Sequence, residues 1–425
     1  MKALSMQSSR SAFVSCGALA RFTAVSAFLL LGFLSIHFHR DLSVLRADGE
    51  DIGSQMLRAE QALPIKIQIL EKERDEWRER ALAAEAKSSK NVQAPSQFSS
   101  ASDYIAAFGK YIKVGYFSTS NNGDDLWKLW EEQGVHVVPV HYYSPIVSDA
   151  DLEEHYVARK ATKFDLIGLD MNDSFQHKIL TEMTVTYRDE LLAFPKSLPE
   201  GVDPSKSLTY TYGQGMFNIN DASLYHTIIR HFHPQRIIEV GSGNSLKISM
   251  AAGKLNDNGS DSGRPQTDIT VIEPFPDQSH NSHLLKADGI NRLVVKKIQD
   301  VPLEEFDVLE ANDILFLDSS HVVATGTDTV HEFLNILPRL AKGVIVHVHD
   351  IFLPHDLPRH WVMGEHRGWS EQYLLAAFLM YNSDFEVVAS SSYMVHKFQE
   401  EIKAAMPERF HQGGGSFWFR RIKKT

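Results

Sequence analysis

Two short segments concentrate the side chains that can do chemistry. "DILFLDSSH" (313–321) ends an apolar run in Asp318 and places His321 three residues on. "GVIVHVHDIFLPHD" (343–356) begins as Val344-Ile345-Val346 and then presents His347, His349 and Asp350 within four residues. Carboxylates and imidazoles are costly to bury without partners, and they gather where a strand end opens into a site. There they can hold a divalent cation, or a histidine can take a proton from a reacting group. His347, which alternates with Val346 and Val348, reads as a core histidine satisfied by a hydrogen bond. His355, His360 and His366 read as loop residues.

A third segment, "RIIEVGSGNSLKISMAAG" (236–253), sets Glu239 two positions before Gly241-Ser242-Gly243 at the junction of a strand and a helix. Glycines there let the backbone approach a ligand. A dinucleotide fingerprint asks for a third glycine at position 246, which is Leu246, and this weakens a nicotinamide or flavin reading. "ITVIEPFPD" then ends the next strand in Glu273, placed to accept hydrogen bonds from ribose hydroxyls. The turn-rich insertion "NDNGSDSGRPQ" accounts for the long interval between the two glutamates.

The elements that must position these residues follow from pattern. Strand candidates are "VHVVPV", "RIIEV", "DITVIE", "LVVKKI", "DILFLD", "GVIVHVH", "FEVVAS" and "SFWFRRI". The central ones are continuous apolar runs, as in strands covered on both faces, and helical patterns separate them. The expectation is an α/β protein with a doubly wound, mostly parallel, Rossmann-like sheet. The last two candidates lack a clear helix between them, which predicts an antiparallel strand at the edge. In such a sheet the strand ends carrying Gly241, Glu273, Asp318 and Asp350 converge on one crevice.

Length and charge bound the rest. A chain of 425 residues with 43% hydrophobic content can build a sizeable core. A net charge of −11 argues against general nucleic-acid affinity. The single cysteine, Cys16, excludes an internal disulfide framework and a cysteine zinc site.

The first forty residues carry no Asp or Glu, and the apolar run 22–38 follows Lys2, Arg10 and Arg21. It predicts a signal anchor, with 1–21 as a cytosolic tail and everything beyond lumenal or extracellular. A cleaved organelle transit peptide is the alternative. Two sequons, at Asn172 and Asn258, fit a lumenal domain. Residues 52–90 read as a helical stem opening near Pro64. Ile67, Leu70, Trp77, Ala81 and Ala84 form a loose seam that Arg74 interrupts, so it is either a coiled coil joining copies of the chain or a solvated single helix. A polar linker (91–103), an N-terminal extension of the catalytic domain (104–204) and the core (205–425) complete the order.

The run Ile238-Glu239-Val240-Gly241-Ser242-Gly243-Asn244-Ser245, with Asp318-Ser319-Ser320-His321 and His349-Asp350, resembles the class I S-adenosylmethionine-dependent methyltransferases. In particular it resembles the subfamily with "IEVGSG-x-S", "D-x-x-H" and "HD" motifs. "VHVVPVHYYSPI" (135–146), "DIFLPHDLPRHW" (350–361) and "GWSEQYLLAAF" (368–378) extend the similarity, which covers roughly 115–422. The resemblance implies a seven-stranded methyltransferase sheet with S-adenosylmethionine as cofactor. Gly241 and Gly243 would border its methionine part, Glu239 its ammonium, Glu273 its ribose, and Gln299-Asp300-Val301 its adenine, with Ser242 and Asp318 also in contact with the cofactor. Related O-methyltransferases hold a divalent cation through acids at the ends of the fourth and fifth strands, here Asp318 and Asp350. His349 stands where those relatives often carry a second acid, which leaves magnesium, a softer metal or none.

The implied activity is methylation of an oxygen on a small molecule or glycan. His321 would act as base beside Asp318 and Asp350, or a metal on Asp318, His349 and Asp350 would activate the acceptor. The competing readings are a metal-dependent hydrolase using His347, His349 and Asp350, and a membrane-tethered binding protein without catalysis.

Overall fold

The computed structural model describes residues 131–132, 134–138, 140–159, 163–258, 267–278, 282–406 and 413–423. All fall within one compact unit, Tyr116–Thr425. The expected anchor (22–38), stem (52–90) and linker (91–103), and the start of the extension, lie outside the described residues. Among the described residues no helix is long and apolar enough to cross a membrane.

Seven strands form one sheet: β1 (Arg236–Val240), β2 (Asp268–Ile272), β3 (Arg292–Val294), β4 (Ile314–Leu317), β5 (Ile345–Val348), β6 (Phe385–Ser390) and β7 (Phe417–Arg421). Their order is β3-β2-β1-β4-β5-β7-β6. The first five are mutually parallel, and β7 runs antiparallel to both of its neighbours.

The parallel strands are apolar throughout because both of their faces are covered. In β4, Ile314 and Phe316 join the core on one face, and Leu315 and Leu317 join the core on the other. The two-residue period does this without any polar position in the strand. Helix α1 (Ile219–Phe232) packs on the first face and contributes Tyr225, Ile228 and Ile229. Its start is fixed by Asn218, whose side chain accepts from the amides of Asn220 and Asp221. Helix α2 (Ser245–Asn258) follows the glycine loop, and α3 (Glu371–Leu379) lies on the second face through Leu375 and Leu379.

Two expectations are corrected. The antiparallel strand is not at the edge: β7 lies between β5 and β6, and β6 is the edge. The connection contains two short helices, α4 (Ser391–Lys397) and α5 (Gln399–Ala405), which return the chain into the gap. Phe417, Trp418 and Phe419 are each 0% exposed, and β7 pairs with a strand on either side, β5 and β6. The run "VHVVPV" is not a strand. Residues 135–138 have no regular structure and Val140 is 83% exposed, so its β-branched residues have no buried face to pack on.

His347 is a core histidine. Its ring stacks on Phe316 at 3.8 Å and packs against Trp418 at 4.5 Å, and Nε2 lies 3.0 Å from Ser416 Oγ. Burial holds its pKa well below the ordinary histidine value. Enclosed in this way, it is not offered to a metal, and the hydrolase reading loses one of its ligands.

Candidate active site

The glycine loop begins where β1 ends. Gly241 has φ of +89° and donates its amide to the Ile272 carbonyl at 3.0 Å. A Cβ here would stand 2.3 Å from the Asp318 carbonyl oxygen, so the position needs glycine because the end of β4 passes so close. Gly243 differs, since a Cβ there would meet nothing nearer than Ser245 Oγ at 3.9 Å. It opens onto a cavity of about 360 Å³ whose walls include Ser242, Asn244, Glu273, Phe275 and Asp318. That volume falls within the roughly 300–1,000 Å³ of small-molecule sites. Ser242 Oγ donates to Glu273 Oε2 at 2.7 Å, and the Phe275 amide donates to Oε1 at 2.8 Å. The glutamate is thereby held at the cavity wall with accepting capacity to spare. Among the described residues no lysine or arginine lines the cavity.

The structure therefore brings Ser242, Gly243, Glu273 and Asp318 to one wall, with Gly241 directly behind. Other expected cofactor residues lie elsewhere. Glu239 points to the α1 and α2 side of the sheet, where it accepts from Ser245, from Ser249 at 3.3 Å and from Tyr225 at 3.4 Å. It does not line the cavity. Gln299 donates to the Gly326 carbonyl at 3.0 Å, Asp300 is exposed and Val301 is buried in the second core. None of the three reaches the cavity wall.

Burial pushes the Glu239 carboxyl up to about 8, against the pull of the Ser245 and Ser249 hydroxyls. Its ordinary value is 4.5. The folded chain thus keeps a proton that the unfolded chain releases, and this contribution to stability is present below pH 4.5 and lost as pH rises through about 8. Glu239→Gln removes the titration and keeps a hydrogen-bonding side chain. The variant is expected to gain stability relative to the parent between pH 5 and pH 8.5, read from urea unfolding at both. An unchanged difference at the two pH values would contradict the assignment.

The ends of β4 and β5 meet beside the cavity. Asp318, His349 and Asp350 each offer one ligand atom, and these atoms lie within 4.8 Å of one another. Ligands about 2.1 Å from an octahedral ion sit up to about 4.2 Å apart, so the set fits a divalent cation after small closure. Two carboxylates and an imidazole suit magnesium, manganese, iron or zinc. His321 Nε2 is 3.3 Å from Asp318 Oδ1 and 3.6 Å from Asp350 Oδ2. His349 Nδ1 is 3.4 Å from Asp350 Oδ1 and 3.8 Å from Asp318 Oδ1. His321 and Asp350 both adopt left-handed backbone conformations, with φ of +61° and +56°. Such conformations cost of order 1–3 kcal/mol and cluster at functional sites.

Charge explains why the cluster holds together. Burial opposes a proton on His321, but Asp318 and Glu371 outweigh it and raise the group to about 10. His349 is likewise raised well above its ordinary value, by Asp350, Asp318 and Asp221 against the effect of burial. Asp318 is correspondingly held low by His349 and His321 despite desolvation. Both histidines are thus held toward their charged forms by the carboxylates that face them.

Two contributors escaped the sequence reading. Asp221, in the first turn of α1, is buried, accepts from the Gly415 and Ser416 amides at 3.0 and 2.9 Å, and lies 3.9 Å from His349 Nε2. Glu371, in the first turn of α3, has Oε2 2.8 Å from His321 Nδ1. Acids in first turns read as ordinary helix starts, and only their burial sets them apart.

Residues 238–351, which span the glycine loop through Asp350, match the methyltransferase domain family. A protein of Archaeoglobus fulgidus described as uncharacterized is 32% identical over 178 residues, 41% of this chain and 75% of that one. Two solved structures show weaker likeness. A chain described as a protein-L-isoaspartate O-methyltransferase of Plasmodium falciparum, in complex with S-adenosyl-L-homocysteine, is 15% identical with a TM-score of 0.22, covering 47% of this chain and 82% of its own. A plantazolicin methyltransferase, in complex with a triazolic desmethylPZN analogue and S-adenosyl-L-homocysteine, is 10% identical with a TM-score of 0.28, covering 60% of this chain and 100% of its own. Scores at this level establish neither fold nor function. The chain belongs to the same family as the Archaeoglobus fulgidus protein, and the part of it that carries the glycine loop, Asp318 and Asp350 matches a methyltransferase domain.

Proposed function

We propose that the chain transfers a methyl group from S-adenosylmethionine to an oxygen atom of a hydroxylated small molecule or glycan. The observation that carries this is the cavity beside the glycine loop, which offers two carboxylates, Glu273 and Asp318, and, among the described residues, no basic side chain. A nucleoside bearing a sulfonium and an ammonium suits that charge, whereas the pyrophosphate of a dinucleotide would face two carboxylates. Glu273, steadied by Ser242 and the Phe275 amide, accepts from ribose hydroxyls. Gly243 lets the ligand lie against the backbone.

Asp318 connects the two halves of the site. It lines the cavity and also touches His321, so a ligand filling the cavity presents its reactive end to the cluster of acids and histidines. A divalent cation held by Asp318, His349 and Asp350 would polarise the acceptor hydroxyl. The chain's own groups supply the rest. Asp350 and Asp318 orient the hydroxyl, and His321 takes its proton at Nε2 when neutral. Where no cation occupies Asp318, the neutral fraction of His321 rises about tenfold per pH unit below about 10, so transfer limited by this base climbs with pH over that range.

Glu273→Ala is expected to weaken S-adenosylmethionine binding by about 1.5–3 kcal/mol, the scale of a lost charge-assisted hydrogen bond. Calorimetric titration reads this directly, and wild-type affinity in the variant would remove Glu273 from the site.

A further inference from the structure

We propose that Trp369, Ser370 and Glu371 form a clamp whose function is to aim His321, with Glu371 as the positioning residue that holds Nδ1 and leaves Nε2 as the one ring nitrogen facing Asp318 and Asp350. This deepens the role given to His321 above and rests on that reading.

His321 sits four residues past the end of β4 in a segment without regular structure, in a left-handed conformation that the chain alone does not favour. Three adjacent residues fix it from several sides. The His321 carbonyl accepts from the Ser370 amide at 2.9 Å and the Glu371 amide at 3.2 Å. Glu371 Oε2 lies 2.8 Å from Nδ1. The Trp369 ring packs on the imidazole at 4.4 Å. Ser370 Oγ accepts from the Val323 amide at 2.9 Å, tying the far side of the loop to the same tripeptide. These contacts explain the sequence "GWSEQYLLAAF", which lies outside the cavity wall and the cation ligands.

A structural role alone would not select a glutamate. Its side chain is 2% exposed, and Oε1 is buried without a hydrogen-bond partner. Glu332, 0% exposed, adds a second buried carboxyl that repels it, and a buried carboxylate is costly without compensation. The partner it has is the imidazole. A histidine whose Nδ1 is held by a carboxylate has its ring orientation and its free nitrogen decided in advance.

The test is read on the histidine itself, without any acceptor. In the full chain labelled with 15N-histidine, the Nδ1-bound proton of His321, assigned by its loss in His321→Gln, is expected to be strongly deshielded and slow to exchange. Glu371→Gln keeps the shape and a neutral acceptor. In it, this proton is expected to move upfield and exchange faster, at unchanged unfolding midpoint and cofactor affinity, with Glu371→Asp restoring part of the shift. With a methylated acceptor in hand, Glu371→Gln is expected to lose roughly 10–100-fold in kcat at unchanged KM for the cofactor. An unaltered Nδ1 proton or an unaltered rate overturns the proposal. Failure of Glu371→Gln to fold assigns the carboxylate to stability and also overturns it. Absence of cofactor binding in the parent would instead refute the function above and leave the clamp to be judged by the Nδ1 proton.

Discussion

Asp350→Asn is expected to slow methyl transfer by roughly a hundredfold or more, the scale on which removal of one oriented polar group at a reacting centre is felt. Its cofactor affinity should stay within a few-fold of the parent. Asp350 is not on the cavity wall, but its two oxygens lie 3.6 Å from His321 and 3.4 Å from His349. Loss of its charge therefore acts on acceptor activation. Asparagine is well suited to the comparison, because it tolerates the left-handed conformation that this position adopts, so the backbone packed against Gly415 is preserved. Tritiated methyl incorporation from labelled S-adenosylmethionine into pools of hydroxylated acceptors measures the effect. If a cation is held here, chelation should mimic the variant and added metal should restore the parent. If chelation leaves the rate untouched while His321→Ala removes it, a base operates without metal. If neither matters, the cluster is structural.

The second large effect separates the two glycines of the loop. Gly241→Ala puts a Cβ 2.3 Å from the Asp318 carbonyl at a φ of +89°. Left-handed strain of about 1–2 kcal/mol and an overpacking cost of about 1–3 kcal/mol together predict a loss of about 2–5 kcal/mol in unfolding free energy. Gly243→Val meets open space, so its unfolding free energy should change by no more than about 0.5 kcal/mol while cofactor affinity falls at least roughly tenfold. Urea unfolding and calorimetry on both variants test this. Equal instability in the two, or equal affinity, would contradict the division of roles.

Much of the sheet was legible because parallel strands buried on both faces leave continuous apolar runs, as in Ile314–Leu317. The place of β7 was not read, although Phe417-Trp418-Phe419 carried the signal of a strand covered on both sides. The site was legible where a charged residue follows directly on such a run, as at Glu273, Asp318 and Asp350. Glu239 lies within its strand instead, and the two-residue period puts it on the face opposite Ile238 and Val240, toward Tyr225. Asp221 and Glu371 were hidden for another reason. Their burial is produced by packing of distant segments, Gly415 over one and His321 against the other, and no local pattern encodes it.

The most direct test is calorimetric titration of the full-length chain with S-adenosylmethionine. The account predicts saturable binding at one site per chain, weakened by about 1.5–3 kcal/mol in Glu273→Ala and at least roughly tenfold in Gly243→Val. No saturable binding by the folded parent, or parental affinity in both variants, would contradict it.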